Sequence, residues 1–154
     1  MDQTTDDDND LLLCNQLCFA VYSAAHAFNR LYKVQLDALG LTYPQYLVML
    51  VLWEGDGLMV KDLGERLRLD SGTLTPLLKR MEAAGLVHRD RDPNDERQRR
   101  ISLSDRGAAM REQARAIPRA ITKALGSSPE KLEVLMTTLL EVRDNLDAAT
   151  NKLA

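Results

Sequence analysis

Cysteine is nearly absent from this chain: of 154 residues only Cys14 and Cys18 are cysteines, and none follows them. Two thiols four residues apart cannot staple a long loop, which excludes a disulfide scaffold and points to a reducing compartment. Histidine is as sparse, and His26 and His88 stand without the further ligands that a metal site requires, so no metal or other cofactor is expected. Glycine builds no phosphate cradle, since Gly55-x-Gly57 lacks the third glycine and the following helix of a nucleotide fingerprint. Serine, aspartate and histidine occur, but no nucleophile elbow surrounds them, which leaves hydrolase chemistry unsupported. The longest uncharged run, Ala38–Trp53, has 16 residues, contains Pro44 and falls short of the roughly 20 that a membrane helix needs. LLLC at 11–14 has the look of a lipoprotein cleavage box, yet the stretch before it is acidic and the apolar segment is too short for a signal peptide. These absences point to a cytoplasmic protein that is not an enzyme.

What remains is ordinary for one globular domain: 45% hydrophobic and 28% charged residues, with a lean 5% of aromatics. The net charge of −3 is misleading. Residues 1–10 hold five aspartates and no cation, so residues 11–154 by themselves carry +2. The expectation is a disordered acidic tail over 1–10 followed by a single domain over 11–154.

Apolar residues Leu11, Cys14, Cys18, Val21, Ala25, Phe28 and Tyr32 recur at alternating spacings of three and four. That stripe predicts a helix running from Leu11 and turns Cys18 toward a partner surface. On such a helix Cys14 and Cys18 would hold their Cβ atoms about 5 to 6 Å apart, beyond the roughly 3.5 to 4.5 Å of a disulfide, so Cys14 reads as packing. Leu132, Leu135, Leu139, Val142, Leu146, Ala149 and Leu153 repeat the pattern behind an N-cap at Ser128. A domain with a seam at each end can bury both in a symmetric dimer, which assigns 11–40 and 105–154 to dimerisation.

Between the seams, Thr42 and Gln45 fit a capping box for the apolar helix YLVMLVLW. VKDLGERL predicts a short amphipathic helix, RLDSG a turn, and TLTPLLKRMEAAG a second helix ended by Gly85. Pro76 costs little if that helix begins near Ser71 or Thr73. Leu86–Arg89 and Arg100–Leu103 predict a β-hairpin around DRDPNDERQ, and a long helix bent at Pro118 runs from Ser104 to about Leu125. Helix, turn, helix and basic hairpin over 42–104 make a winged helix-turn-helix. Leu74, Leu77, Leu78 and Met81 form the buried face of its second helix, which leaves Ser71, Thr73, Thr75, Lys79 and Arg80 to reach base edges or phosphates in a major groove. Arg89, Arg91, Arg97, Arg99 and Arg100 supply guanidinium groups for phosphates or a narrow minor groove, with Asp95 placed to hold Arg97. Alternation leaves open whether Arg99 or Arg100 faces DNA. A hairpin that also holds Asp90, Asp92, Asp95 and Glu96 has the simpler reading of a solvated charged loop.

LDSGTLTPLLKRMEAAGLV and DERQRRISLSDRG resemble the recognition helix and wing of the MarR family of dimeric winged-helix repressors, and the likeness extends from Leu11 to about Ala149. The resemblance implies a mainly α fold with a small β-wing, terminal helices interleaved in a homodimer, and binding to a pseudo-palindromic double-stranded DNA operator. Within the family, NQLCFAVY and LTYPQYLVMLVLWE are similar to the organic-hydroperoxide sensors. That likeness implies that Cys18 is the peroxide-reactive thiol, with Tyr32 and Tyr43 reaching it across the dimer interface.

The chemistry of these residues suits that role. Tyrosine hydroxyls stay protonated at neutral pH and donate hydrogen bonds to a thiolate; Tyr32, Tyr43 and Tyr22, one turn from Cys18, would favour the anion. Leu17, Phe19, Val21 and Phe28 would suit a hydrophobic hydroperoxide. Some members of the resembled subgroup carry a second, C-terminal cysteine that closes an intersubunit disulfide, and this chain does not. Its oxidised Cys18 would then take an external resolving partner, such as a low-molecular-weight thiol giving a mixed disulfide, or go on to sulfinic and sulfonic acid. Two other readings compete: a repressor released by a small aromatic ligand, and a thiol peroxidase that uses Cys18 catalytically.

Overall fold

The computed structural model describes residues 7–95 and 97–153. They fall into two compact units, one through Ile117 and one from Pro118. In chain order the elements are α1 (Asp7–Asp10), a 3-10 turn (Leu13–Asn15), α2 (Leu17–Asp37), α3 (Tyr43–Glu54), β1 (Leu58–Met59), α4 (Val60–Leu67), α5 (Ser71–Ala83), β2 (Val87–Arg91), β3 (Arg99–Leu103), α6 (Asp105–Ala114), α7 (Ala116–Leu125) and α8 (Pro129–Leu153). The fold is mainly α with a small antiparallel sheet, as the sequence leads one to expect. Of the acidic segment, residues 1–6 lie outside the described residues and Asp7–Asp10 forms a single helical turn.

The first helix starts later than its apolar stripe predicts. Gln16 is extended, with φ −86° and ψ 109°, and α2 begins at Leu17, so Leu11 and Cys14 are not on it. The side-chain amides of Asn15 and Gln16 donate to the main-chain carbonyls of Asn9 and Asp10, local bonds that compete with a helix through these residues. From Leu17 to Arg30 every residue of α2 is exposed, and Leu36 alone of the helix is buried.

Helix α3 is the centre of the first unit. Its capping box forms as predicted: the Thr42 hydroxyl accepts from the Gln45 amide and the Gln45 side chain accepts from the Thr42 amide. Tyr46, Val48, Met49, Val51 and Leu52 are buried, and the helix packs on α2, α4, α5 and α6. Asp70 caps α5 by accepting from the Thr73 amide at 2.9 Å. With α5 starting at Ser71, Pro76 lies in its second turn rather than its first, so the helix forgoes the bond from residue 76 to the Gly72 carbonyl.

The sheet has order β1-β3-β2, and β1 is a strand that the sequence reading passes over. It pairs Leu58 with Ile101 and Met59 with Arg100. Asp56 fixes this strand to the hairpin, since one carboxylate oxygen accepts from the Gly57 and Leu103 amides, both at 2.8 Å. Ser104 then caps α6, accepting from the Gly107 amide at 3.0 Å and donating to the Gly85 carbonyl at 2.7 Å. Gly107 is required there, because a Cβ would stand 2.2 Å from the Leu86 carbonyl oxygen. The long helix expected over 104–125 is two helices that part at Arg115, upstream of the predicted bend. The Arg115 amide bonds to Glu112 at the end of α6, and Pro118, which has no N–H to donate, falls in the first turn of α7, where none is needed.

In the second unit α8 is capped by Ser128, whose hydroxyl accepts from the Lys131 amide. It has no buried residue: Leu135, Leu139, Leu146 and Leu153 of the predicted seam are exposed, and Leu132 and Val142 are half-buried.

Candidate nucleic-acid interface and thiol site

The reading face is built on a buried apolar wedge. Leu63 of α4 and Leu74, Leu77, Leu78 and Met81 of α5 are all buried, which fixes the two helices against each other. The opposite side of α5 presents Ser71, Thr73, Lys79 and Arg80 as exposed side chains, while Thr75 is half-buried. Between this helix pair and the hairpin lies an open groove of about 750 Å³, lined by Thr75, Arg89, Arg97 and Arg99 and also by Lys61 and Arg68. The last two escaped the sequence reading. The available signal was their place on the polar face of α4 and at the turn after it, where Arg68 takes φ +55°.

Strand register settles the hairpin's parity. Arg91 stands opposite Arg99 and Arg89 opposite Ile101, on the face that meets the helices, whereas Asp90 and Arg100 pair on the other face. Arg99 therefore lines the groove and Arg100 does not. The Arg100 guanidinium donates to the Asp92 carboxylate at 2.9 Å and to the Gly57 carbonyl, and so binds the wing to the loop before β1. Asp92 is buried and also accepts from the Asn94 and Asp95 amides; the Arg100 hydrogen bond, followed by that from Asn94, holds its carboxyl below the usual range. Asp95 acts differently from expectation. Its carboxylate accepts from the Arg97 backbone amide at 3.0 Å and from the Gln98 side chain at 3.1 Å, so it shapes the loop rather than clamping the guanidinium. Arg97 is exposed and Glu96 lies outside the described residues. Arg89 is mostly buried, paired with Glu82 at 3.1 Å, and ties the end of α5 to β2.

The thiol site comes in two separate halves. Cys18 is the second residue of α2, exposed, and the N-cap Gln16 makes no side-chain cap bond. Cys18 thus stands in the first turn of a 21-residue helix, past a break in the chain at Gln16. The apolar stripe hides this, because it runs straight through the break at Gln16. Tyr22, one turn on, meets His26 edge-on at 4.3 Å. The other half is an aromatic cluster: the Tyr32 ring lies 4.5 Å from Tyr43 and 5.9 Å from Tyr46. Burial, with the neighbouring Tyr43 and Tyr46 adding to it, pushes the Tyr32 hydroxyl up to about 12, and burial raises Tyr43 and Tyr46 as well. These phenols therefore remain donors at any physiological pH. Tyr46 is a member that the sequence reading did not include. Cys18 and Tyr32 share α2 but stand 14 residues apart, about 21 Å along the axis at 1.5 Å per residue. One chain thus joins Tyr32 to Tyr43 and leaves Cys18 and Tyr22 apart from them.

Among the described residues no cluster of three His, Cys, Asp or Glu side chains could hold a metal ion, and no helix is long and apolar enough to cross a membrane.

Residues 41–98 match the sequence profile of the MarR family. The chain is 51% identical over 148 residues to the HTH-type transcriptional regulator TtmR of Methylorubrum extorquens, covering 96% of this chain and 75% of the relative. It is 49% identical over 130 residues to the organic hydroperoxide resistance transcriptional regulator of Bacillus subtilis, covering 82% and 88%. Its fold matches the solved structure of reduced AbfR bound to DNA with a TM-score of 0.79 at 36% identity, over 92% of this chain and 97% of that one.

Proposed function

Since the chain belongs to the MarR family of winged-helix transcriptional regulators, we propose that it binds a pseudo-palindromic operator as a homodimer while Cys18 is reduced, and releases it when an organic hydroperoxide oxidises that thiol. A family of regulators gives no support to the thiol peroxidase reading. The observation that carries the proposal is the division of the thiol site. Cys18 and Tyr22 lie on an exposed stretch of α2, and Tyr32, about 21 Å from Cys18 along the same helix, packs against Tyr43 at the start of α3. A second copy, with its α2 passing antiparallel to the first, brings each tyrosine pair to the other chain's thiol and covers the exposed apolar residues Phe19, Val21 and Phe28. The exposed apolar side of α8 is covered in the same dimer, so that 11–40 and 105–154 serve dimerisation.

In the reduced dimer the tyrosine hydroxyls of one chain donate hydrogen bonds to the Cys18 sulfur of the other. The thiolate attacks one peroxide oxygen, the O–O bond breaks, the alcohol leaves and Cys18 becomes a sulfenic acid. The added oxygen no longer fits between the tyrosines, and a packed interface answers by moving the two reading lobes rather than by yielding elastically. On DNA, Ser71, Thr73, Thr75, Lys79 and Arg80 enter the major groove, with Arg91, Arg97 and Arg99 on the phosphates and minor groove beside it, while Arg89, expected among them, is held by Glu82 and braces α5 against β2. Asp95 and Arg100 shape the wing that carries them.

A mixed dimer tests the shared site. Chains bearing Cys18→Ser are paired with chains bearing Tyr32→Phe and Tyr43→Phe, and the thiol reactivity of the surviving Cys18 is followed against pH. The proposal requires the mixed dimer to recover wild-type reactivity at that one thiol, because its tyrosines come from the other chain. Reactivity as low as that of the double-phenylalanine homodimer overturns the shared site.

A further inference from the structure

The break between the 3-10 turn and α2 removes the reason for treating Cys14 as inert. Were the two cysteines on one helix, the register would hold their Cβ atoms about 5 to 6 Å apart. Instead Cys14 lies in the turn Leu13–Asn15, Gln16 is extended, and Cys18 lies in the first turn of α2. Both thiols are free and exposed, and these are the only two cysteines in the chain. The Cys14 sulfur donates to the Asn15 side-chain oxygen at 3.7 Å, a weak contact that a χ1 rotation releases. The helix turn that carries Cys18 has no side-chain cap, so it opens at little cost.

We infer that Cys14 is the resolving thiol for Cys18, closing an intrachain disulfide across the break at Gln16. This rests on the reading of Cys18 as the peroxide-reactive thiol and completes its chemistry. In the first step Cys18 takes one oxygen from the hydroperoxide, which leaves as its alcohol. In the second, the Cys14 sulfur attacks the Cys18 sulfur, the S–O bond breaks, and the hydroxide leaves as water with the proton from Cys14. Two thiols and one hydroperoxide thus give one disulfide, one alcohol and one water, with two electrons passing from sulfur to the peroxide. No external thiol is consumed. Closing the bridge also draws the first turn of α2 toward the 3-10 turn, which displaces Cys18 from its tyrosines more than one added oxygen would, and a dithiol reductant reverses it.

Fully reduced full-length protein, free of small thiols, is treated with one equivalent of cumene hydroperoxide, alkylated and weighed intact under non-reducing conditions. The expected product is a monomeric chain lighter by two hydrogens, with neither cysteine alkylated, restored by dithiothreitol. Cys14→Ser, a change at an exposed side chain, should lose this product entirely and accumulate oxygens on Cys18, with the dithiol failing to restore DNA binding after excess peroxide. Wild-type protein whose Cys18 carries oxygens while Cys14 is still alkylated overturns the inference, as does a covalent dimer. A Cys18 that stays reduced and alkylated under peroxide overturns the redox reading beneath it, a result distinct from the other two.

Discussion

Replacing Arg99 and Arg100 by alanine, one at a time, separates reading from bracing. Arg99 lines the groove beside the recognition helix, whereas the Arg100 guanidinium is occupied by Asp92 and the Gly57 carbonyl. If each copy of Arg99 neutralises one phosphate, the homodimer loses two contacts in Arg99→Ala, and the slope of log K against log salt becomes shallower by about 1.8. A loss near the lower end for a specific arginine, about 1 kcal/mol per copy, is about 2 kcal/mol per dimer, or roughly 30-fold in Kd. Arg100→Ala removes no DNA contact. It frees the buried Asp92 carboxylate from its charged partner and loosens the wing, so affinity falls while the salt slope stays that of wild type. Fluorescence anisotropy with labelled operator across several salt concentrations reads both quantities. A shallower slope for Arg100→Ala together with an unchanged one for Arg99→Ala would refute the assignment made from strand register.

Other consequences follow from the same contacts. Gly107→Ala sets a methyl group against the Leu86 carbonyl and should cost about 1 to 3 kcal/mol of stability, seen as a lower Tm; an unchanged Tm would mean that α6 does not approach the hairpin so closely. Asp92 has its carboxyl held down in the folded chain, so its contribution is fully present above the ordinary carboxylate value and is lost as pH falls through the depressed one. Acid unfolding should accordingly be less steep in Asp92→Asn, and identical pH profiles would show that the Arg100 contact adds nothing. Leu139→Asp places a charge on the exposed apolar side of α8 and should yield a monomer without operator affinity in sedimentation. A fully active dimer would put the interface elsewhere.

Much of the reading lobe was legible because its signals are local. Thr42 and Gln45 form a capping box within one turn, Gly85 ends α5 with φ +69°, and the leucines of α5 mark their own buried face. The features that escaped depend on residues far apart in sequence. Strand β1 has two residues and exists only because β3 lies beside it, and the choice between Arg99 and Arg100 turns on a register that pairing with β2 imposes. The thiol site misled in a different way. A spacing of three and four continues smoothly across Gln16, yet the amides of Asn15 and Gln16 find carbonyl partners six residues back and the helix stops short of Cys14. Periodicity records which side chains are apolar and is silent about competing hydrogen bonds. Likewise the tyrosines at 32 and 43 stand out as donors, but their contact with each other and with Tyr46 needs α3 to pack on α2.

Titrating the operator-bound protein with an organic hydroperoxide, with anisotropy as the readout, asks whether oxidation of Cys18 is what releases DNA. About one equivalent per Cys18 should release wild-type protein, and Cys18→Ser should bind with wild-type affinity and stay bound throughout the titration. Release of Cys18→Ser over the same range, or wild-type protein still bound after Cys18 is fully oxidised, would contradict this role for Cys18.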